Sequence, residues 1–198
     1  MSNILESRSM NKKVELWKDN ELHILKDVNF AIEKGEFVSV MGPSGSGKST
    51  LLYNVSGMDR ITSGSVKFKG REMVGLKEEE LAKIRLNNMG FIFQDINLLK
   101  NLSVIDNVMF PAFVSKDADK NAVYQNAKKL LKMTGIEKLA DNNITQASGG
   151  QLQRAGICRA LINDPDIIFG DEPTGALDSR SATEIMSILA EINKKGTT

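Results

Sequence analysis

The sequence predicts an α/β protein: a core of strands and helices around a phosphate-binding loop, an antiparallel β layer beside it, and an inserted α-helical subdomain. Three features point there. Five strand-forming residues, Phe37-Val38-Ser39-Val40-Met41, run into the glycine-rich loop Gly42-Pro43-Ser44-Gly45-Ser46-Gly47-Lys48-Ser49-Thr50 and then an apolar helix start at Leu51-Leu52. The segments before and after that unit alternate apolar and polar residues with period two, as half-buried antiparallel strands do. From Asp95 to about Gln146 the pattern changes to helix and loop.

In chain order, Val14-Glu15-Leu16-Trp17 reads as a short first strand. Ile24 to Ile32 sets Val28, Phe30 and Ile32 against Asp27, Asn29 and Ala31, and turns at Glu33-Lys34-Gly35-Glu36 into a core strand Phe37 to Met41. After the loop helix, Gly57 and Thr62-Ser63-Gly64 lead to another alternating strand, Ser65-Val66-Lys67-Phe68. Lys77 to Leu86 is an exposed helix whose acidic start, Glu78-Glu79-Glu80, suits the helix dipole. Gly90-Phe91-Ile92-Phe93 is an apolar strand ending on the polar Gln94. Helices follow over Val104 to Phe110, stopped by Pro111, and over Ala118 to Met133, with Gly135 as the residue past its end. Ser148-Gly149-Gly150 opens a helix to about Asn163, and Asp164-Pro165 closes it. Asp166-Ile167-Ile168-Phe169 is a second buried strand, closing on Gly170-Asp171-Glu172. Ser181 to Lys194 is amphipathic, with Ile185, Ile188, Leu189 and Ile192 on one face. This divides one domain into residues 1–94 (β layer and loop core), 95–160 (helical subdomain) and 161–198 (second core segment).

Composition narrows the function classes. A net charge of +1 offers no whole-protein attraction for nucleic acid or an anionic membrane. A lone cysteine, Cys158, excludes an internal disulfide and reads as a small apolar helix residue. The first residues carry Glu6 and Arg8 without a long apolar run, unlike a secretory signal, and no stretch is apolar enough to span a membrane. The expected location is cytoplasmic unless a partner holds the chain elsewhere.

The loop fits G-x-x-x-x-G-K-[ST] with the required strand before and helix after. Gly42, Gly45 and Gly47 permit backbone conformations in which successive N–H groups converge on phosphate oxygens. The following helix adds its N-terminal amides, Lys48 adds a mobile positive charge, and Ser49 adds a hydroxyl for Mg²⁺. A nucleoside triphosphate is the expected ligand. Asp171-Glu172, which elsewhere would be a solvated turn, follows a buried strand in a chain with a phosphate loop. Asp171 is then expected to hold Mg²⁺ through water and Glu172 to polarise the attacking water. Ser148-Gly149-Gly150 reads either as a second anion nest at a helix start or as an ordinary cap with Ser148 at its head.

Ala147-Ser148-Gly149-Gly150-Gln151-Leu152-Gln153-Arg154, followed by Cys158-Arg159-Ala160-Leu161, resembles the signature of ATP-binding cassette (ABC) ATPases. Gly42 to Thr50 is similar to Walker A, Gln94 to the Q-loop glutamine, Ile167 to Glu172 to Walker B, and Pro173 to Asp178 to the run into the D-loop. The wording is closest to the branch serving macrolide export, lipoprotein release and the cell-division pair. The resemblance implies a P-loop NTPase fold that hydrolyses ATP with Mg²⁺, with Glu172, Lys48 and Gln94 catalytic and Ser49, Gln94 and Asp171 around the metal. It also implies a head-to-tail dimer in which Ser148, Gly149, Gly150, Gln151 and Asp178 of one copy cover the other's nucleotide. The dimer would drive a separate integral membrane permease from the inner face of the membrane. Trp17 falls near the position of an adenine-stacking aromatic, with a core role as the alternative.

Two positions depart from the family pattern: Ala147 stands where Leu is usual, and Gly170 where Ala or an apolar residue is common. The family's next core strand and its histidine fall beyond residue 198, and His23 cannot replace that histidine. Weak turnover by the 198-residue chain is therefore expected. Other readings are an ABC-type ATPase that signals without transport and a nucleotide-binding module with impaired turnover. The apolar residues between Asp95 and Phe113 (Ile96, Leu98, Leu99, Leu102, Val104, Phe110) are expected to form either a docking patch for the permease or the subdomain core.

Overall fold

The computed structural model describes residues 3–17, 20–114 and 118–198. The chain divides into two compact units, Met1–Arg85 with Gly196–Thr198, and Leu86–Lys195.

Among the described residues, the first unit holds a four-stranded antiparallel sheet, the helix after the phosphate loop and most of a second helix. Strands β1 (Asn3–Trp17), β2 (Asn20–Glu33), β3 (Ser63–Phe68) and β4 (Arg71–Glu72) lie in the order β2-β1-β3-β4, and α1 (Lys48–Val55) follows the phosphate loop. The central strand β1 pairs Ser7 with Phe30 on one side and with Val66 on the other. It begins well before the expected Val14. It buries Ile4, Leu5, Ser7 and Met10, so the adjacent pair Ile4-Leu5 and the polar Ser7 break the apolar alternation, and a register shift between Ser7 and Met10 displaces its period. The Ser7 hydroxyl donates to Val28 O at 3.0 Å, which offsets the cost of removing it from water. Trp17 sits at the end of the β1–β2 ladder opposite Asn20 and is 86% exposed, so it is no part of the core.

The expected core strand Phe37 to Met41 does not form among the described residues, and Phe37, Val38, Val40 and Met41 are all more than half exposed. Five strand formers supply propensity, but a strand exists only when a neighbour accepts its backbone hydrogen bonds, and no described segment pairs with this one.

Helix α2 (Glu78–Asn88) carries the chain into the second unit, with its three glutamates in the first turn as expected. There β5 (Met89–Phe93) and β6 (Ile167–Asp171) pair in parallel, residue for residue from Met89↔Ile167 to Phe93↔Asp171. Helices α3 (Val104–Met109), α4 (Lys120–Met133), α5 (Gly149–Leu161) and α6 (Ser179–Lys194) complete the unit. α5 is central. One face joins Val104, Ile105, Val108, Met109, Ala127 and Leu131 in a helical core. Its Ile157 and Ala160 join Ile92, Ile185 and Ile192 in another. Ile185 and Ile192 on α6 are thus buried by the unit's own side chains. The apolar run after Gln94 divides: Val104 is core and Leu98 packs against it, while Leu99, Phe110 and Phe113 stay exposed. No described helix is long and apolar enough to cross a membrane.

Candidate functional site

In the first unit the phosphate loop bends at Ser46, whose N–H donates to Pro43 O. It then enters α1 through Gly47, at φ 90° and ψ 13°. This left-handed conformation is costly for a residue with a Cβ, and a Cβ here would also lie 3.2 Å from Ile24 Cγ2. Gly47 O accepts from Leu51 N at 2.8 Å and starts the helix. No side chain among the described residues caps α1. Lys48 Nζ donates to Gly42 O at 3.1 Å and Pro43 O at 2.9 Å, which folds the ammonium over the loop's own backbone. Pro43, Ser44, Gly45 and Ser46 are exposed, and Ser49 and Thr50 are half-buried on the first turn.

In the second unit the parallel register brings two site residues level. Gln94 follows Phe93 and Glu172 follows Asp171, and Phe93 and Asp171 are partners in the ladder. Ligand-binding groups in parallel α/β sheets gather at this carboxyl edge. Glu172 holds φ at 48°, a conformation disfavoured for a glutamate, and Glu172 O accepts from Gly175 N at 3.0 Å. A Cβ at Gly175 would lie 3.1 Å from Gln94 Nε2 and 3.2 Å from Glu172 Oε2. The Gln94 amide and the Glu172 carboxylate therefore converge on the same small space, which glycine leaves open. Gly170 accommodates its place more loosely, since a Cβ there would meet the Pro173 ring at 3.4 Å, ordinary contact.

Two residues of α5 hold this edge together, and sequence reasoning gave neither a role. The Gln153 amide, 3% exposed, donates to Pro173 O at 2.8 Å and Phe93 O at 3.3 Å. The Arg159 guanidinium donates to Ile96 O at 2.6 Å and Asn97 O at 2.8 Å, and burial lowers its pKa from the ordinary arginine value. The signal for Gln153 lay in its spacing: it falls four residues before Ile157 and seven before Ala160, on the stripe that α5 buries.

The start of α5 is a capping box. Ser148 Oγ accepts from Gln151 N, and Gln151 Oε1 accepts from Ser148 N at 2.8 Å. The amides of Gly149 and Gly150 and the Ser148 O–H are not used by this box, so the cap and anion readings of the stretch are compatible. A Cβ on Gly150 would lie 3.3 Å from Ser181 Oγ, so the signature start and the start of α6 are neighbours. Asp178 caps α6: Oδ1 accepts from Arg180 N and Ser181 N at 3.0 Å each, and Oδ2 accepts from Ser181 Oγ at 2.7 Å. The Ser181 amide and hydroxyl hold the Asp178 carboxyl below the usual carboxylate range. No group of three His, Cys, Asp or Glu side chains suited to a metal forms among the described residues.

The chain matches known proteins over nearly its whole length. The family described as ABC transporter matches residues 25–175. The bacitracin export ATP-binding protein BceA of Halalkalibacterium halodurans is 45% identical over 192 residues, covering 97% of this chain and 75% of that protein. The lipoprotein-releasing system ATP-binding protein LolD 2 of Rhodospirillum rubrum is 42% identical, covering 98% of this chain and 84% of that protein. The macrolide export ATP-binding/permease protein MacB of Aggregatibacter actinomycetemcomitans is also 42% identical, and the match takes in 99% of this chain but 30% of that longer protein. Among solved structures, the dimeric post-hydrolysis state of the ATP-binding cassette MJ0796 bound to ADP and Pi superposes with a TM-score of 0.89. It is 39% identical, covering 98% of this chain and 85% of that one.

Proposed function

The chain belongs to the ABC transporter family as an ATP-binding subunit with ATPase chemistry, and from that premise we propose that it powers a separate integral membrane permease by closing and opening a head-to-tail dimer around ATP. In this reading the loop amides and Lys48 bind the β- and γ-phosphates, and the exposed Trp17 stacks on the adenine. Each unit would offer Mg²⁺ oxygen donors of its own, Ser49 in the first and Asp171 and Gln94 in the second. These donors are a hydroxyl, a carboxylate and an amide oxygen, and such hard oxygen ligands suit a cation that completes its shell with phosphate and water. The bound cation supplies charge neutralisation on the phosphates. Glu172 accepts the proton of the attacking water and Gln94 orients that water beside it. Ser148, Gly149, Gly150 and Gln151, with Asp178 next to them, face the nucleotide held by the second copy.

The observation that carries the reading is the convergence of Gln94 and Glu172 over Gly175 at the carboxyl edge of β5 and β6. An amide and a carboxylate so placed are suited to fixing one water molecule, and Glu172 is held there in a backbone conformation that costs energy. The exposed Leu99, Phe110 and Phe113 are the apolar surface offered to the permease. That attachment would keep the chain at the inner face of the membrane, and nucleic acid is no partner in this reading. The test is coexpression with a candidate permease. Leu99→Glu with Phe110→Glu should abolish copurification while nucleotide binding persists, and copurification at parental yield would refute the docking assignment. In the dimer assay, light scattering of Glu172→Gln with Mg-ATP should give twice the monomer mass, and a monomer would refute the sandwich.

A further inference from the structure

We propose that Gln153 is a positioning residue for ATP hydrolysis, fixing Gln94 and Glu172 to each other and to the signature helix. The inference rests on the assignment of those two residues under Proposed function. Gln153 touches neither of them. It binds the peptide groups beside them: Phe93 O immediately precedes Gln94, and Pro173 O immediately follows Glu172. One buried amide thereby sets the spacing between the backbones that carry the catalytic amide and the catalytic carboxylate.

The ladder of β5 and β6 ends at Phe93↔Asp171, one residue short of both Gln94 and Glu172. Beyond that rung the ladder no longer joins the two chains, and Gln94 and Glu172 are both exposed. Gln153 acts as one further rung, made from a side chain. It also ties that rung to α5, whose first turn carries Ser148, Gly149, Gly150 and Gln151. A shift of the signature turn along or about the helix axis is transmitted to the Gln94–Glu172 spacing within five residues of helix, the stiffest connection available. Reacting groups misplaced by about 1 Å lose rate steeply, by up to ~10²-fold, so the geometry of this rung bears on turnover more than on nucleotide affinity.

The experiment compares the parent chain with Gln153→Met, which keeps length and volume but has no donor. Both are assayed where circular dichroism shows them fully folded. We expect kcat to fall about 10- to 100-fold while the Kd for Mg-ATP stays within about 3-fold, the split that marks loss of an interaction acting on the reaction step. Amide hydrogen exchange should quicken at residues 94–97 and 172–175 and stay unchanged in the buried turns of α5. In a Gln94→Ala background the kcat effect of Gln153→Met should shrink, because part of what it positions is gone. If Gln153→Met does not fold, Gln153→Asn, which keeps the amide but withdraws it by one methylene, is expected to show the same split. Unchanged kcat with unchanged exchange in the two loops would overturn the proposal. So would exchange that quickens throughout the second unit with parallel losses of kcat and affinity, the mark of a merely structural residue. A parent chain that releases no phosphate would refute the hydrolytic assignment instead, and the exchange comparison would still decide whether Gln153 holds the two loops.

Discussion

Two helices of this protein begin at glycine-rich turns, and they begin differently. α1 starts at Gly47 in a left-handed conformation, and its cap makes no side-chain hydrogen bond. α5 starts at Ser148 in an extended conformation, φ −71° and ψ 162°, closed by a reciprocal box with Gln151. Every helix start presents backbone donors that need partners. At α1 the reading proposed above gives those donors a ligand, while Lys48 folds over the carbonyls of Gly42 and Pro43. At α5 its own side chains satisfy part of the need, so the turn is rigid before any phosphate arrives. Under the proposed function, the difference separates a turn that binds its own nucleotide from a turn that presents a finished surface to another molecule.

The largest effect expected from this comparison is on affinity. Lys48→Ala should weaken Mg-ATP binding by about 10- to 100-fold, the worth of one charge-assisted contact, while Ser148→Ala leaves binding by the monomer unchanged. Titration with a fluorescent ATP analogue measures both, and equal losses in the two variants would break the distinction. Stability should follow a parallel order. Gly47→Ala forces a Cβ into a left-handed site against Ile24 and should cost about 1–2 kcal/mol or more. Ser148→Ala removes one neutral cap and should cost about 1 kcal/mol. Thermal melts that reverse this order would show that Gly47 is not strained as described.

A third helix start sharpens the contrast through pH. α6 is capped by an ionised Asp178, whose pKa is lowered in the fold by the Ser181 amide and hydroxyl. A carboxyl with a lowered folded pKa contributes stability above its unfolded value, near 3.9, and loses it as pH falls through the folded value. Hydrogen exchange at the first turn of α6 should therefore quicken below about pH 4, while α5, capped by neutral Ser148 and Gln151, keeps its protection. In the first unit, burial works to raise the Glu72 carboxyl but is outweighed by the Ser65 hydroxyl and the amides of Val74 and Val66, leaving it below the usual range. The sign is the same, and Glu72 adds to the acid-side loss. The smallest expected effect lies in the middle of α5. Burial pushes the Cys158 thiol up to about 12, and Thr134 Oγ1 lies 3.2 Å from its sulfur. Iodoacetamide at pH 8 should leave Cys158 unlabelled until denaturant is added. Labelling of the native chain at the rate of a free thiol would show that α5 is not packed as described.

What the sequence made legible was local. The phosphate loop, Asp171-Glu172 and the Ser148 turn are contiguous residues whose chemistry depends on their immediate neighbours, and the loop, strand end and helix start are where they were expected. The strand Phe37 to Met41 depended on a partner elsewhere in space, which its own residues could not disclose. The first half of β1 was hidden because a buried serine and a register shift imitate a polar segment. Gln153 was quoted as part of a motif but given no role. The two carbonyls it serves lie 60 and 20 residues away along the chain, and only the fold brings them to one side chain.

The claim on which the account turns is that Glu172 acts in the reaction and not in binding. Glu172→Gln preserves shape and removes the proton acceptor. Measured side by side, its Mg-ATP affinity should stay within about 3-fold of the parent while steady-state phosphate release falls by about 10²-fold or more. Phosphate release at the parental rate, or a loss of affinity as large as the loss of rate, would contradict it.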